Sequence, residues 1–351
     1  MKLDKLQSCL ACNKIIDKSH IYISNLGVPG MGTTLTTKFI CCDDPKIVEL
    51  DENNNNLLLL DSDSIIYIFA YRYKAYYDKN ILLQKEELPS ELILEQLEKD
   101  INSYINYILS STNSRYYLGL LGESKSAVLL EGELDTCFRY GVCKTFNYKS
   151  KRTSQEYVSF WKPYIYNILI DKLKFVEVVR SIEVDDMLAI LNNTKLKDDY
   201  KIIIAGQDKD LLQIPTTHFN YVKGEFINAN EESDLILTKS KLTGYGYKLL
   251  YAQCITGDTA DNIPGIKSLG PVAAYKALHS CQTEEEAKKI VIDLYLSKNL
   301  TEEDFNDNYI ALKLIESSDV PYLSDVNKLS INTNIDLIMN SVVDIFDKLK
   351  K

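Results

Sequence analysis

The chain has 351 residues, 45% hydrophobic and 26% charged, a balance that gives room for one large or two modest cores and excludes a disordered or fibrous protein. Its formal charge of −10 excludes nonspecific nucleic-acid binding over the whole surface, because such binding needs Lys and Arg to neutralise phosphates; any such contact has to be local. No apolar run approaches the roughly 18 residues of a membrane span, and the N-terminus lacks the basic-then-apolar order of a secretion signal, so a cytoplasmic monomer with no membrane partner is expected.

Residues 1–56 carry little periodicity and end in the polar run Asp51 to Asn56, which reads as an N-terminal extension closed by an exposed loop. Cys9 and Cys12 form a CxxC, followed by His20 and the adjacent pair Cys41 and Cys42. A zinc knuckle could be assembled from these four thiols, although the second half lacks the usual ligand spacing. Eight cysteines without a secretory signal otherwise indicate reduced thiols.

Leu57 to Leu60, stopping at Asp61, predicts a buried parallel strand whose carboxyl end presents an acid. Ile65 to Lys79 reads as helix. Ser90 to Ser111 reads as a long amphipathic helix, with Leu97, Ile101, Tyr104, Ile105 and Ile108 at helical spacing. Tyr116 to Leu121 is the next strand candidate. Between Phe138 and Trp161 the composition turns basic, with Arg139, Lys144, Lys149, Lys151 and Arg152 against Glu156 alone. Phe175 to Val179 and Lys201 to Ala205 are further strands, and beyond Gly244 the pattern is helical almost throughout. Strands alternating with helices predict an α/β fold, a mostly parallel central sheet flanked by helices, with ligands gathered at the carboxyl ends of the strands. A catalytic body over 57–240 and an α-helical part over 241–351 follow.

Four acidic groups stand out: Asp61 with Asp63; Glu183, Asp185 and Asp186; Asp208 and Asp210; Asp258 and Asp261. Each alone reads most simply as a cap at a strand end or helix start. Converging carboxylates, in contrast, repel one another unless cations neutralise them, and hard oxygen ligands in such numbers suit two Mg²⁺ or Mn²⁺ ions able to promote phosphodiester hydrolysis. Within Ile255 to Leu278, ITGDTADNIPGIKSLGPVAAYKAL, Asp258 and Asp261 are expected on one face of a helical turn. Gly265 and Gly270, with Pro264 and Pro271, bracket a loop of helix-hairpin-helix shape at 255–280. Its glycines, its helix-start amides and the nearby Lys267 and Lys276 suit close approach to a phosphate, and a plain tight turn is the bland alternative.

The segments LLLLDSDS, CFRYGVCKTFNYKSKR, EVDDMLAI, AGQDKDLLQI and GDTADNIPGIKSLGPVAAYKAL, in this order over about residues 57–280, resemble the 5′-nuclease family of phage 5′-3′ exonucleases, flap endonucleases and the 5′-nuclease domain of bacterial DNA polymerase I. The resemblance implies a PIN-like 5′-nuclease core and a basic helical arch near 138–165. It also implies a monovalent cation at the helix-hairpin-helix. Asp61, Glu183, Asp185 and Asp186 would form the nearer metal site, with Asp208, Asp210, Asp258 and Asp261 completing it or holding the second ion. Asp63 matches no family role. Lys149 would contact the scissile phosphate, Arg152 would support it and Tyr148 would stack on a base, with Arg139 and Lys144 as further nucleic-acid contacts. Where the family carries an acid before the Phe-Arg pair, this chain has LLGESKSAVLLEGELDTCFR, and either Glu123 or Gly122 fills the aligned position. The implied substrate is DNA with 5′ ends, flaps or junctions, with an RNA–DNA hybrid and replication proteins as further partners.

Two other readings compete. LLLLDSDS and GDTAD also suit a haloacid-dehalogenase-like phosphatase with Asp61 as nucleophile, which leaves EVDD and YKSKR without a task. A structure-specific DNA-binding protein with a decayed site is the non-enzymatic alternative.

Overall fold

Four consecutive leucines, Leu57 to Leu60, are fully buried, as in a strand covered on both faces. The computed structural model describes residues 55–315 apart from 86–87, 115, 123–138, 140–142, 152–154, 174, 180–181, 195 and 230–232. In it these leucines form β1 (Asn56–Asp61), inside a six-stranded sheet. The sheet also contains β2 (Tyr116–Gly122), β3 (Val176–Val179), β4 (Lys201–Ala205), β5 (Thr216–Asn220) and β6 (Glu225–Ala229), in the spatial order β3-β2-β1-β4-β5-β6. All pairings are parallel except β6 against β5. The α/β class read from the sequence is the observed one.

Alternate leucines of β1 serve opposite faces. Leu58 and Leu60 pack with Ile65 and Phe69 of α1 (Asp63–Arg72), Ile101 and Ile108 of α2 (Glu91–Thr112) and Trp161 of α3 (Glu156–Asn167). Leu57 and Leu59 pack with Met187 and Leu188 of α4 (Val184–Asn192). Helix α2 stops where Asn113 takes the left-handed conformation, φ 47°, a residue type that tolerates it.

A third core joins α5 (Gly246–Thr256), α6 (Pro271–Leu278), α7 (Glu284–Ser297) and α8 (Glu302–Leu312) through Tyr251, Ile255, Ala274, Val291 and Phe305. Thr301 and Asp304 form a capping box at the start of α8. Helices thus dominate the described residues beyond Gly244. An antiparallel hairpin of β7 (Asp234–Thr238) and β8 (Lys241–Tyr245) precedes them, and it, like β5 and β6, was not expected. No helix among the described residues is long and apolar enough to cross a membrane.

Because β1, β2 and β4 are parallel, Asp61, Gly122 and Ala205 end at one edge of the sheet. The chain leaves β1 for β2 on one side, while β4 lies on the other, so β1 stands where the strand order reverses. The crevice beyond the strand ends at such a point is the usual ligand site of an open α/β sheet.

Candidate active site

Asp61 closes β1, and its carboxylate is held in place by the Ser64 hydroxyl, which donates at 2.9 Å, and by the Asp63 amide at 3.0 Å. Gly206, just past β4, lets the next turn approach: a Cβ there would stand 2.3 Å from a Leu211 methyl and 3.4 Å from the Asp61 Cβ. That turn carries Asp208 and Asp210, and Asp208 accepts the Asp210 amide at 3.0 Å. Asp185 enters from the first turn of α4. Burial, then the Asp63 charge, pushes Asp61 up to about 7. Burial and Asp208 push Asp210 up to about 7. Asp185 is raised well above the carboxylate range by burial and then by Asp61, Asp208 and Asp210. Carboxylates from three segments therefore stand near enough for Asp63 and Asp208 to raise Asp61, Asp208 to raise Asp210, and Asp61, Asp208 and Asp210 to raise Asp185. They share a field without closing on a point: among the described residues no three acidic, His or Cys side chains converge as a ready ligand set.

Beside this group, Glu183 at the N-cap of α4 gathers a second set. Its carboxylate accepts from the Tyr148 hydroxyl at 3.0 Å, from Arg139 at 3.0 Å and from the Lys149 ammonium. Lys149 also lies 3.9 Å from Asp261, its amide donates to the Asp261 carbonyl at 2.8 Å, and Asn262 donates to the Asn147 carbonyl at 2.8 Å. Lys149 sits at φ 53°, a conformation costly for a side chain with a Cβ. The turn around it is thus pinned to the 258–262 loop. Lys209 pairs with Asp258 at 2.7 Å, and this partner holds Asp258 below the usual range although burial raises it.

Three expected roles are corrected. Asp186 is fully buried, and its oxygens are taken by Arg139 at 2.6 and 2.8 Å and by the Ile315 amide at 2.9 Å, so it is a buttress and not a ligand. Arg139 is 2% exposed and bound to Asp186, Glu183 and the Lys313 carbonyl, which rules it out as a nucleic-acid contact. Tyr148 is 4% exposed and packs in the third core, so its ring offers no face to a base in this arrangement. Lys144 is exposed, 3.9 Å from Glu303.

The 258–262 segment is not a helical turn. Gly257, φ 71°, ends α5, and Asp258 and Ile263 pair antiparallel through bonds of 3.0 and 2.8 Å, which holds Asp258 and Asp261 in a tight loop. The helix-loop-helix shape is present as α5, residues 257–270 and α6. Its glycines differ. Gly265, φ 59°, is buried, its amide donates to Asn308 at 2.9 Å, and a Cβ would lie 2.3 Å from the Gly257 nitrogen; it locks the loop and is unavailable to phosphate, a further correction. Gly270, at the N-cap of α6, has open space around it, and Lys267 and Lys276 are exposed.

Glu123 and Arg152, and the possible zinc thiols Cys9, Cys12, Cys41 and Cys42, lie outside the described residues. The sequence reading missed Lys209, although its place between two site aspartates was a signal. It also passed over Tyr67, 57% exposed on α1 one turn after Asp63, an aromatic of the kind on which a base can stack.

No family profile matches the chain. A 5′-3′ exonuclease of Mycoplasmopsis pulmonis is 28% identical over 172 residues, covering 46% of this chain and 52% of that protein. A 5′-3′ exonuclease of Buchnera aphidicola subsp. Schizaphis graminum is 26% identical over 208 residues, 57% of this chain and 63% of that one. The chain therefore spans between half and two thirds of the length of these relatives, and stretches of 101 and 187 residues match the DNA polymerase I sequences of Borreliella burgdorferi and Bacillus subtilis. Among solved structures, the T5 D15 protein co-crystallised with metal ions superposes with a TM-score of 0.49 at 16% identity, over 82% of this chain and 99% of that one. The resemblance carried by the motifs is thus to proteins so named.

Proposed function

We propose that the chain is a divalent-metal-dependent 5′-nuclease that hydrolyses phosphodiester bonds of DNA at 5′ ends, flaps or junctions. The observation that carries this reading is the gathering of Asp61, Asp185, Asp208 and Asp210 at the carboxyl edge of a parallel sheet, where burial and neighbouring carboxylates raise Asp61, Asp185 and Asp210. This oxygen-only donor set fits Mg²⁺ or Mn²⁺; those four residues would hold one ion, and Asp258, Glu183 and Asp261 would serve a second. Bound as a pair, such ions supply activation of a water and relief of charge on the leaving oxygen.

The remaining roles belong to the chain itself. Lys149 stands among these carboxylates and would turn to the scissile phosphate, with Arg152 three residues on in support. Lys267, Lys276 and the Gly270 end of α6 would meet phosphates of the duplex without reading its sequence. The α/β body over 57–240 would carry the chemistry and the helical part over 241–351 the grip. Similarity to proteins named 5′-3′ exonuclease supports this reading.

A labelled 5′-flap duplex incubated with Mg²⁺ or with EDTA, alongside an RNA–DNA hybrid, tests it. Cleavage is expected with Mg²⁺ alone. Asp185→Asn should lower turnover by orders of magnitude while duplex binding survives. Full activity in EDTA, or undiminished turnover of Asp185→Asn, would overturn the proposal.

A further inference from the structure

Asp63 opens α1, where an acid favours the helix start without reaching beyond the helix. Its side chain nevertheless crosses to the neighbouring strand: Oδ1 accepts the amide of Gly122, the last residue of β2, at 2.9 Å. A Cβ built on Gly122 would stand 2.9 Å from the Asp63 Oδ2 and 3.4 Å from Oδ1. Any larger residue at 122 would have to displace that carboxylate. Gly122 is not among the residues of positive φ, so its backbone does not demand glycine; the room beside it does. The peptide is fixed from the other side as well, because the Tyr166 hydroxyl of α3 donates to the Gly122 carbonyl. The Asp63 amide, in turn, is bound to the Asp61 carboxylate at 3.0 Å. Asp61 and Asp63 are thereby set side by side across the ends of β1 and β2.

We infer that Asp63 is a further carboxylate of the cation-holding set, extending it from Asp61 to the end of β2 in the room that Gly122 leaves; this rests on the nuclease reading above. Mn²⁺ binding to the full-length metal-free protein tests it, followed by the electron paramagnetic resonance of free Mn²⁺ and by melting with and without the ion. Asp63→Asn should weaken Mn²⁺ affinity at least about tenfold, the scale seen when the surroundings of a metal are altered, and should shrink the Mn²⁺-induced rise in Tm. Its metal-free Tm should not fall, because a repelling neighbour of Asp61 has been neutralised. Gly122→Ala, which crowds the carboxylate, should shift Mn²⁺ affinity in the same direction. Asp293→Asn, an exposed acid on α7, should bind as the parent does.

Parent-like Mn²⁺ binding by Asp63→Asn would overturn the inference. So would a lowered metal-free Tm with an unchanged Mn²⁺-induced shift, which would leave Asp63 as a helix-start group only. Uptake by the parent that Asp185→Asn abolishes and Asp63→Asn leaves intact sinks this inference alone. A parent protein that takes up no Mn²⁺ sinks the nuclease reading together with it.

Discussion

One step along α4 turns a side chain by about 100°, and that rotation separates Asp185, facing Asp61 and Asp208, from Asp186, buried on Arg139. Replacing them should have opposite effects. Asp186→Ala strands a buried guanidinium and should destabilise the protein by about 3–5 kcal/mol; Asp185→Asn removes a repelled charge and should leave the metal-free Tm unchanged or higher. Equal Tm losses would contradict the separation. The raised carboxylates also set a pH dependence. An unfolded aspartate titrates near ~3.9 and the folded Asp61 at about 7, so between these values the folded state holds the additional proton and its stability falls as pH rises. The metal-free Tm should therefore drop from pH 5 to pH 7, less steeply in Asp61→Asn, and saturating Mg²⁺ should flatten the drop. Identical slopes in the parent and Asp61→Asn would show that Asp61 titrates normally. Lys149→Ala should slow single-turnover cleavage by about a hundredfold, the scale of one transition-state charge contact, with little change in DNA affinity in Ca²⁺. Tenfold weaker binding with a normal rate at saturation would reduce the lysine to an attractor of DNA.

Among the elements, the loop between α5 and α6 distinguishes its two glycines. Gly265→Ala puts a Cβ against the Gly257 backbone at φ 59° and should cost enough stability to be plain in a thermal melt, whereas Gly270→Ala meets open space and should melt as the parent does. Comparable losses in both would mean that the loop is held in another way. Elements such as β1, α2 and β4 were legible because an unbroken apolar run or a sustained helical period admits one interpretation. Strands β5 to β8 were not: each has five residues, and TTHFN or KLTGY owes its strand form to pairing with a neighbour, which no local pattern records. The site divides in the same way. Acids at or within three residues of the end of an apolar run marked Asp61 and Asp208, because strand ends present them. The fate of Arg139 was hidden, since a basic stretch looks solvated until Glu183 and Asp186 arrive 44 and 47 residues later. The adjacent acids of EVDD likewise gave no sign of which would face inward.

For the whole molecule, a formal charge of −10 means that, under the proposed function, DNA would be held against a repulsive average field by a few exposed lysines. Binding should weaken steeply with added salt and change little with base sequence; a strong preference for one sequence would argue against phosphate contacts as its source. The Lys149 ammonium, meanwhile, cannot serve Glu183 and Asp261 and a phosphate at once. Divalent ions taking over those carboxylates, as the proposed function has it, would release it, so metal and DNA would become cooperative ligands, each tightening the other by the same factor. The ratio of DNA dissociation constants without and with Ca²⁺ should therefore equal the ratio of Ca²⁺ dissociation constants without and with DNA. In Lys149→Ala both ratios should shrink together, by no more than the small loss of affinity expected of that variant in Ca²⁺, and a ratio untouched by the substitution would show that the ammonium takes no part in the exchange.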